Sequence, residues 1–470
     1  MPRRHRPLPL LLCALLATAC GSGPAADGDR GEGAEQVRDH PSAPVPEGTG
    51  SRTAGDVNGD GYPDLVFAAG MDTERLTDTA DRVIVVYGSA RGLDPATRTV
   101  LDPGPVRAVA VPGTGGDGTR GEAADLDGDG FADIPLVHHP EGEDGPAVHA
   151  VYRGGPTGPG ADPVPLALPE DGRSPSGWPP AAVGDFDADG AADLALVRED
   201  GTGGQEEITV LYGPIGPDGA PARTGSRPFP SWIGSLVAGP ADPAGTGGSP
   251  LLVQHSSDGE QTSNTLLLTG PGDPSGWAQA DTVGGSMAAF GDLDGDGAAD
   301  LVVGDDGNRN NEPGYETEPP EVHHRLNLYP GPLTADPGDP VGLDLPGEAT
   351  AAYGGTRALA LCDTDGDGTR EAAVGRAGHG VDTVHWADGA LRIADTPPLV
   401  RSGPEEGPLA GGSGTERVAG LEGCADHDAN GSDELLLSYS PGPRTPSPAR
   451  WWVTDGREDL ASFDSAAFGD

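Results

Sequence analysis

The stretch GDLDGDGAADLVVG, residues 291–304, decides the fold. Its loop carries acids at the first, third, fifth and ninth positions, which are Asp292, Asp294, Asp296 and Asp300. Gly297 stands sixth, where glycine supplies the backbone angle that turns a tight loop around an ion. Ca²⁺ is a hard cation that takes about six to eight oxygen ligands, and alternating carboxylates provide them. Because a short apolar run follows at once, the stretch predicts a calcium-binding turn that leads into a β-strand.

The same unit returns along the whole chain, in loops that start at residues 56, 125, 185, 242, 292, 363 and 426. A recurring unit of this kind indicates a repeat architecture. Five further copies are intact, and their predicted calcium ligands are Asp56, Asn58, Asp60, Asp64, Asp125, Asp127, Asp129, Asp133, Asp185, Asp187, Asp189, Asp193, Asp363, Asp365, Asp367, Glu371, Asp426, Asp428, Asn430 and Glu434. The fourth copy is eroded: it keeps Asp242 and Gly247 but has Ala244 and Thr246 where ligands belong. We therefore expect about six structural calcium sites.

The loops are not EF-hands. An EF-hand loop needs a bidentate glutamate at its twelfth position and a helix on each side. The twelfth residues of the intact copies are apolar, namely Phe67, Leu136, Leu196, Val303, Val374 and Leu437. Each copy therefore joins two strands.

The third repeat shows the predicted strand pattern most clearly. Strands at 181–185 and 194–198 flank its loop, a third follows at 207–213, and a weaker segment lies at 224–228. Four short antiparallel strands in about sixty residues are typical of one propeller blade. The sequence thus predicts an all-β, seven-bladed β-propeller over residues 51–470, and 78 Gly with 49 Pro disfavour a helical fold.

The end of the chain suggests how the ring closes. It reads SAAFGD at 465–470, close to SMAAFGD at 286–292, which enters the fifth loop. We expect the C-terminal strand to pair into the first blade. The alternative is a truncated eighth repeat.

The loop pattern D-x-[DN]-x-[DN]-G-x-x-[DE] followed by an apolar strand resembles the FG-GAP/VCBS-type repeats of the integrin α-subunit propeller and its bacterial relatives. The resemblance covers residues 51–470. Phe-Gly before the loop survives at Phe290-Gly291, with a trailing copy at Phe468-Gly469, so the bacterial type is more similar. The resemblance implies calcium loops on one face, joining the first and second strands of each blade, and a ligand surface on the opposite face.

The N-terminus predicts export. Arginines at positions 3, 4 and 6 precede the apolar run LPLLLCALLATA and Cys20, and the run is too short to span a membrane. It resembles a bacterial lipoprotein signal, so we expect a signal peptide at 1–19, lipidation of Cys20 and a flexible tether at 20–50. The expected location is the outer face of the cell membrane. Ordinary cleavage after Ala19, giving a secreted protein, is the alternative.

Two cysteines remain to be placed, since Cys13 leaves with the signal peptide and Cys20 is the expected lipidation site. Cys362 and Cys424 occupy nearly equivalent places just before their loops. A disulfide between them is plausible in an exported protein, and two buried thiols are the alternative.

Charge and motifs limit the functions. A formal net charge of −47, with no lysine, argues against nucleic acid and against direct binding to anionic membranes. The sequence has no H-E-x-x-H, G-x-S-x-G or Walker motif, and we predict that the chain is not an enzyme. We expect a monomeric adhesion or ligand-binding module for a protein or polysaccharide. The alternatives are a carbohydrate-active enzyme or lectin, or an envelope scaffold subunit.

The fifth-blade insert, residues 304–325, is the candidate ligand site, because it follows a second strand and so lies opposite the calcium loops. Its candidate ligand residues are Arg309, Asn311, Tyr315, His323 and His324. The pair His138-His139 is interpreted as a surface pair in a loop. The pair Trp451-Trp452 is expected to pack between blades.

Overall fold

Strands account for most of the regular structure. The computed structural model describes residues 42–70, 80–109, 120–121, 123–142, 145–170, 174–175, 181–199, 206–241, 247–256, 262–305, 324–346, 356–441 and 448–468. The predicted signal peptide, Cys20 and the first part of the tether lie outside these residues, as do Asp242, Ala244 and Thr246. Three short 3-10 helices also occur, at Pro274–Gly276, Gly414–Arg417 and Ser465–Phe468. Within the described ranges, no helix has the length and apolar character needed to cross a membrane.

Seven antiparallel sheets form the seven blades, which confirms the predicted all-β, seven-bladed propeller. The strands of blades one to three are β1 Leu65–Ala69, β2 Arg82–Val86, β3 Arg98–Leu101, β4 Val106–Val109, β5 Arg120–Gly121, β6 Ile134–His138, β7 Val148–Tyr152, β8 Val164–Pro165, β9 Ser174–Pro175, β10 Ala181–Gly184, β11 Asp193–Glu199, β12 Glu206–Tyr212 and β13 Arg223–Phe229. The strands of blades four and five are β14 Trp232–Ala238, β15 Leu251–Ser256, β16 Ser263–Leu268, β17 Ala278–Thr282, β18 Met287–Gly291, β19 Asp300–Gly304, β20 Arg325–Tyr329 and β21 Val341–Asp344. The strands of blades six and seven are β22 Thr356–Cys362, β23 Glu371–Arg376, β24 Gly380–Ala387, β25 Ala390–Ile393, β26 Gly420–Ala425, β27 Glu434–Tyr439, β28 Arg450–Thr454 and β29 Asp459–Asp464.

Blades four to seven each use four consecutive strands. The first two blades depart from this order, because β5 joins the first sheet, whereas β4, which precedes it in the chain, joins the second. The first sheet runs β5-β1-β2-β3 and the second runs β4-β6-β7-β8. The third runs β10-β11-β12-β13, with β9 also paired to β11. The weak segment at 224–228 is therefore confirmed as part of β13.

The strands read as continuous apolar runs because both faces of each blade are buried. In β2, Val83 and Val85 face the second blade, whereas Ile84 and Val86 face the seventh. Side chains alternate between the two faces of a strand, so each strand contributes to two hydrophobic clusters. The buried residues form seven clusters, one for each pair of neighbouring blades, and together they close the ring.

Ring closure differs from the prediction. The C-terminal strand β29 pairs with β28 in the seventh blade, and residues 465–468 turn into a 3-10 helix. The inner edge of the first blade is instead taken by β5, which pairs with Val66 and Phe67. The prediction that the C-terminal strand enters the first blade is therefore wrong, because a segment of the second repeat already fills that edge.

Aromatic packing closes the seam between blades seven and one. The ring of Phe67 lies 4.6 Å from that of Trp451, and Phe463 stacks on Phe468 at 5.4 Å between centroids. The Arg98 guanidinium carbon lies 4.4 Å from the centroid of Phe468. The next tryptophan, Trp452, belongs to the cluster between blades six and seven, so both tryptophans pack between blades as expected.

A disulfide joins blades six and seven. The sulfurs of Cys362 and Cys424 are 2.10 Å apart, with 6.0 Å between their Cα atoms. Cys362 ends β22 and Cys424 lies in β26, so the bond links the inner strands of two neighbouring blades. It reinforces an interface that side-chain packing already forms.

We predict that Phe463→Ala lowers the free energy of unfolding by about 3–5 kcal/mol, because a fully buried ring is removed from the seam. Leu460→Ala is the matched control, since Leu460 lies on the same strand and is 44% exposed. Chemical denaturation of both variants gives the comparison. Equal losses of stability in the two variants would contradict closure by this cluster.

Candidate metal centre

The acidic loops lie at one end of the blades. The loops starting at 185, 292, 363 and 426 each join the first strand of a blade to its second strand. The loop at 125 is entered through Ala124, which forms a bridge with Asp133. The loop at 56 leads directly into β1. The loops at 185, 292, 363 and 426 therefore have the arrangement that the resemblance implies, whereas the loops at 56 and 125 do not join the first and second strands of one sheet.

The first aspartate shapes each loop. In the fifth blade, Oδ1 of Asp292 accepts hydrogen bonds from the backbone N–H groups of Gly295 and Asp296, at 2.8 and 3.1 Å. Its Oδ2 accepts from the backbone N–H of Gly297 at 2.9 Å. Gly297 has φ +87°, which glycine adopts without strain. The loop therefore wraps around its own first carboxylate, and the third and fifth side chains lie nearby.

Carboxylates from alternate positions converge in five of the described loops. Oxygens of the first, third and ninth residues lie within 4.8 Å of one another in three loops, at Asp185, Asp187 and Asp193; at Asp292, Asp294 and Asp300; and at Asp426, Asp428 and Glu434. In two other loops the converging groups are Asp125, Asp127 and Asp129, and Asp363, Asp365 and Asp367. Clustered hard oxygens of this kind suit Ca²⁺. The residues present therefore fit the ion that the sequence suggests.

The first loop is covered by the chain that precedes it. The backbone N–H of Thr49 donates to the carbonyl of Gly59 at 3.0 Å, and Nδ2 of Asn58 donates to the carbonyl of Pro46 at 3.0 Å. Asp56 is buried beneath this cover. Residues 42–50, which the sequence assigns to the flexible tether, thus include a segment that packs on the first loop.

The ninth residue performs a second task that the sequence pattern does not reveal. In the fifth blade, Oδ2 of Asp300 accepts from the backbone N–H of Leu293 at 2.8 Å. Its Oδ1 accepts from the N–H of Gly331, just beyond β20, at 2.7 Å. The carboxylate therefore ties the start of the loop to the end of the third strand. The same bonds join Asp64 to Gly88, Asp133 to Gly154 and Asp193 to Gly213.

Burial strongly affects these ninth carboxylates. Desolvation raises the pKa of Asp193 to about 7 and that of Asp300 to about 6, although backbone hydrogen bonds oppose the shift. Desolvation also raises the pKa of Glu434 to about 7. A buried carboxylate is costly to charge unless a cation or donors compensate it. The loops are thus placed where a bound cation would contribute most.

The glycine after the third strand is a functional residue that the motif search missed. Gly213 has no room for a side chain, since an added Cβ would lie 2.4 Å from the carbonyl oxygen of Ala192. An added Cβ at Gly331 would lie 2.7 Å from the carbonyl oxygen of Ala299. The sequence does carry a signal: a tyrosine stands one or two residues before each such glycine, at Tyr87, Tyr152, Tyr212 and Tyr329.

The last two blades use a longer acid at the ninth position. Oε2 of Glu371 accepts from the backbone N–H of Thr364 at 3.0 Å and from its hydroxyl at 2.6 Å. Oε2 of Glu434 accepts from the N–H of His427 at 2.8 Å. The third strands of these blades lack the tyrosine–glycine ending. Glutamate thus replaces aspartate where that glycine partner is missing.

Neighbouring loops are joined to each other by the backbone. The N–H of the eighth residue of one loop donates to the carbonyl of the first residue of the preceding loop. These bonds run from Ala132 to Asp56 at 2.8 Å, Ser249 to Asp185 at 2.7 Å, Arg370 to Asp292 at 3.0 Å and Asp433 to Asp363 at 2.7 Å. A change in the conformation of one loop therefore directly affects the loop that is hydrogen-bonded to it in the neighbouring blade.

The predicted ligand residues on the opposite face are mostly outside the described residues, namely Arg309, Asn311, Tyr315 and His323. His324 is described, and its Nε2 lies 3.3 Å from the carbonyl oxygen of Pro346. Arg376 donates to the same oxygen at 2.7 Å and pairs with Asp382 at 2.9 Å. Nε2 of His379 lies 3.2 Å from Asp382. His324 and Arg376 thus contact the same carbonyl oxygen, and Arg376, His379 and Asp382 form a compact polar group beside it.

The other histidine pair is not on the surface. His138 ends β6, and both His138 and His139 are 5% exposed. Their Nδ1 atoms lie 2.8 Å from the carbonyl oxygen of Pro103 and 2.9 Å from that of Gly145. The interpretation as a surface pair is wrong, because both rings are buried and each lies within hydrogen-bonding distance of a backbone carbonyl oxygen.

Comparison with known proteins identifies the repeat. The FG-GAP repeat family matches residues 52–86, which hold the first loop and the strands β1 and β2. This part of the first blade matches the FG-GAP repeat. With the seven-bladed ring, this confirms the resemblance to FG-GAP propellers stated from the sequence. No protein with a curated description matches the chain by sequence.

The chain is distantly similar to a solved structure. It is the periplasmic gluconolactonase PpgL of Pseudomonas aeruginosa, which is 14% identical to this chain. The match covers 85% of this chain and 95% of that chain, with a TM-score of 0.44. The prediction that this chain is not an enzyme, which rests on the absence of known catalytic motifs, is contradicted, since the matching structure is an enzyme. A likeness this distant assigns no reaction to this chain.

We predict that Gly213→Ala destabilises the protein by about 1–3 kcal/mol, because the added methyl group overpacks the contact with Ala192. Gly420→Ala is the matched control, since Gly420 starts a strand and an added Cβ there meets nothing within 4 Å. Thermal melts of both variants give the comparison. A Gly213→Ala protein as stable as the control would show that the close approach is not required.

Proposed function

We propose that this chain is an exported FG-GAP propeller that binds a ligand at the cell surface and uses calcium as a structural ion. One observation carries the proposal: carboxylates from alternate loop positions converge in the same place in blade after blade. The N-terminal sequence supports export, with Cys20 as the lipid anchor, residues 1–19 as the signal peptide and much of 20–50 as the tether. The propeller, from residue 51 onward, acts as a monomer.

The proposed calcium ions stabilise the ends of the blades. In a loop that binds calcium, the ion would be held by the first, third, fifth and ninth side chains, and it would compensate their mutual repulsion. The ninth carboxylate already joins the loop to the third strand in four blades. Calcium would therefore lock an existing junction between strands, which is a structural role repeated around the ring.

The proposed ligand surface lies at the other end of the blades. The second strand runs away from the acidic loop, so the end of β19 and the turn after β23 both lie at that end. The polar group of Arg376, His379 and Asp382 lies there beside His324. A protein or polysaccharide is the proposed class of ligand. The strongly negative chain favours neither nucleic acid nor an anionic membrane surface.

We predict that the double variant Asp292→Asn, Asp294→Asn loses one bound calcium per chain and melts at a lower temperature in calcium. At a calcium concentration of about 100 times Kd, loss of one site costs about 2.7 kcal/mol of linkage stabilisation. Asp388→Asn is the control, since its side chain is 89% exposed and lies far along the chain in a turn. Scanning calorimetry in calcium and in chelator provides the measurement. Identical melts for wild type in the two buffers would refute a structural role for calcium.

The ligand proposal is tested with the soluble fragment from residue 42 onward, which keeps the segment that covers the first loop. The fragment is screened against polysaccharides and cell-surface proteins in calcium and in chelator, and products are assayed in the same wells. Binding that requires calcium is the expected result. Product formation would identify a substrate in place of a ligand, and a folded, calcium-loaded protein without any binding would contradict the proposal.

A further inference from the structure

A guanidinium group occupies the second acidic loop. Arg153 follows β7, and its Nη1 donates to Oδ2 of Asp133 at 2.8 Å. The same nitrogen lies 3.6 Å from Oδ2 of Asp127. Asp127 and Asp133 are the third and ninth residues of the loop, so Arg153 lies where an ion shared by these two carboxylates would have to be.

The guanidinium is also held from the neighbouring blade. Its Nη2 donates to the carbonyl oxygens of Ile215 and Gly216, at 2.9 and 2.6 Å. These carbonyls belong to the turn after β12 in the third blade. The Arg153 side chain is only 17% exposed. Oxygens from two blades therefore fix the position of the Arg153 guanidinium, unlike that of an exposed arginine on a surface loop.

The second loop differs from the loops of the third and fifth blades in its ninth residue. In those blades Asp193 and Asp300 accept hydrogen bonds from backbone N–H groups and converge with the first and third carboxylates. In the second loop the converging group is Asp125, Asp127 and Asp129. Asp133 also accepts backbone hydrogen bonds, from Leu126 and Gly154, but its Oδ2 is in addition paired with Arg153.

The third loop shows that contact with an arginine is not enough to produce this difference. Arg223 contacts Asp187, the third residue of that loop, at 2.5 Å, and its side chain is 43% exposed. Asp193 still converges with Asp185 and Asp187 there. Arg223, which also stacks on the ring of Tyr212, contacts the third residue of its loop, whereas Arg153 contacts the third and ninth residues of its loop and two backbone carbonyls.

We propose that Arg153 is the resident cation of the second loop, and that this loop keeps its acidic residues folded without calcium. A Ca²⁺ ion needs oxygen ligands at about 2.3–2.6 Å. An ion bound by Asp127 and Asp133 would therefore lie against the positive guanidinium, and the two would repel each other. The chain then binds calcium at one loop fewer than its intact motifs suggest. This inference rests on the proposed function, because it compares this loop with loops that bind calcium.

The test is the number of calcium ions bound per chain, measured by equilibrium dialysis and elemental analysis on wild type, Arg153→Gln and Arg223→Gln. We expect Arg153→Gln to bind one calcium more than wild type, because the carboxylates of the second loop lose their internal cation. Arg223→Gln should bind the same number as wild type. An unchanged count in Arg153→Gln would overturn the proposal, and so would an equal gain in both variants.

Melting temperatures provide a second readout. In chelator, Arg153→Gln should melt at a lower temperature than wild type, because the carboxylates of its second loop then have neither the guanidinium nor a calcium ion beside them. Saturating calcium should then raise its melting temperature by more than it raises that of wild type. An equal or smaller rise would overturn the proposal.

The same experiment separates this inference from the proposed function. A wild-type protein that binds no calcium would contradict calcium stabilisation of the propeller as a whole. In that case a single calcium bound by Arg153→Gln would still support Arg153 as the resident cation. No calcium in either protein would overturn both.

Discussion

The ring depends on the buried carboxylate at the ninth position of the repeated loop. In four blades it accepts one hydrogen bond from the start of its own loop and one from the glycine beyond the third strand. One side chain therefore fixes the relation between three parts of the blade. Such a charge is stable in the interior only with donors or a cation around it. The acidic loop supplies the place for that cation beside the same carboxylate.

Backbone hydrogen bonds connect these loops between neighbouring blades. The eighth residue of a loop donates its N–H to the first residue of the preceding loop, as Arg370 does to Asp292 and Asp433 does to Asp363. The hydrophobic clusters join the same blades through their faces, and the disulfide adds a covalent link between the sixth and seventh. The acidic end of the propeller is therefore one connected layer.

Much of the fold could be predicted because the signals are local and repeated. Each loop is defined within nine residues, and strands such as β1, LVFAA, are short apolar runs, so seven copies suffice to predict seven blades. Ring closure could not be predicted in this way. The final SAAFGD copies the sequence of a first strand, yet β5 from the second repeat occupies that edge. Which of two distant segments pairs with β1 depends on the packing of the whole ring, which no local pattern contains.

In the candidate metal centre, too, the local features could be predicted from the sequence and the contacts between strands and blades could not. The convergence of Asp185, Asp187 and Asp193 follows from their spacing. The need for Gly213 follows only from the approach of the Ala192 carbonyl, which is a contact between strands. Arg153 in sequence is an ordinary residue after a strand, and its position among two acids and two carbonyls depends on the third blade. Residues that act between repeats are therefore the ones that a repeat motif fails to identify.

Hydrogen exchange at the acidic loops tests the central claim most directly, at a temperature where the protein stays folded in chelator. Backbone amides at 185–193, 292–300 and 426–434 should be protected in calcium and should exchange faster in chelator. Amides at 125–133 should exchange at the same rate in both buffers, since Arg153 holds that loop. Loops that exchange identically with and without calcium would contradict the account, because the ion would then have no part in holding the blades together.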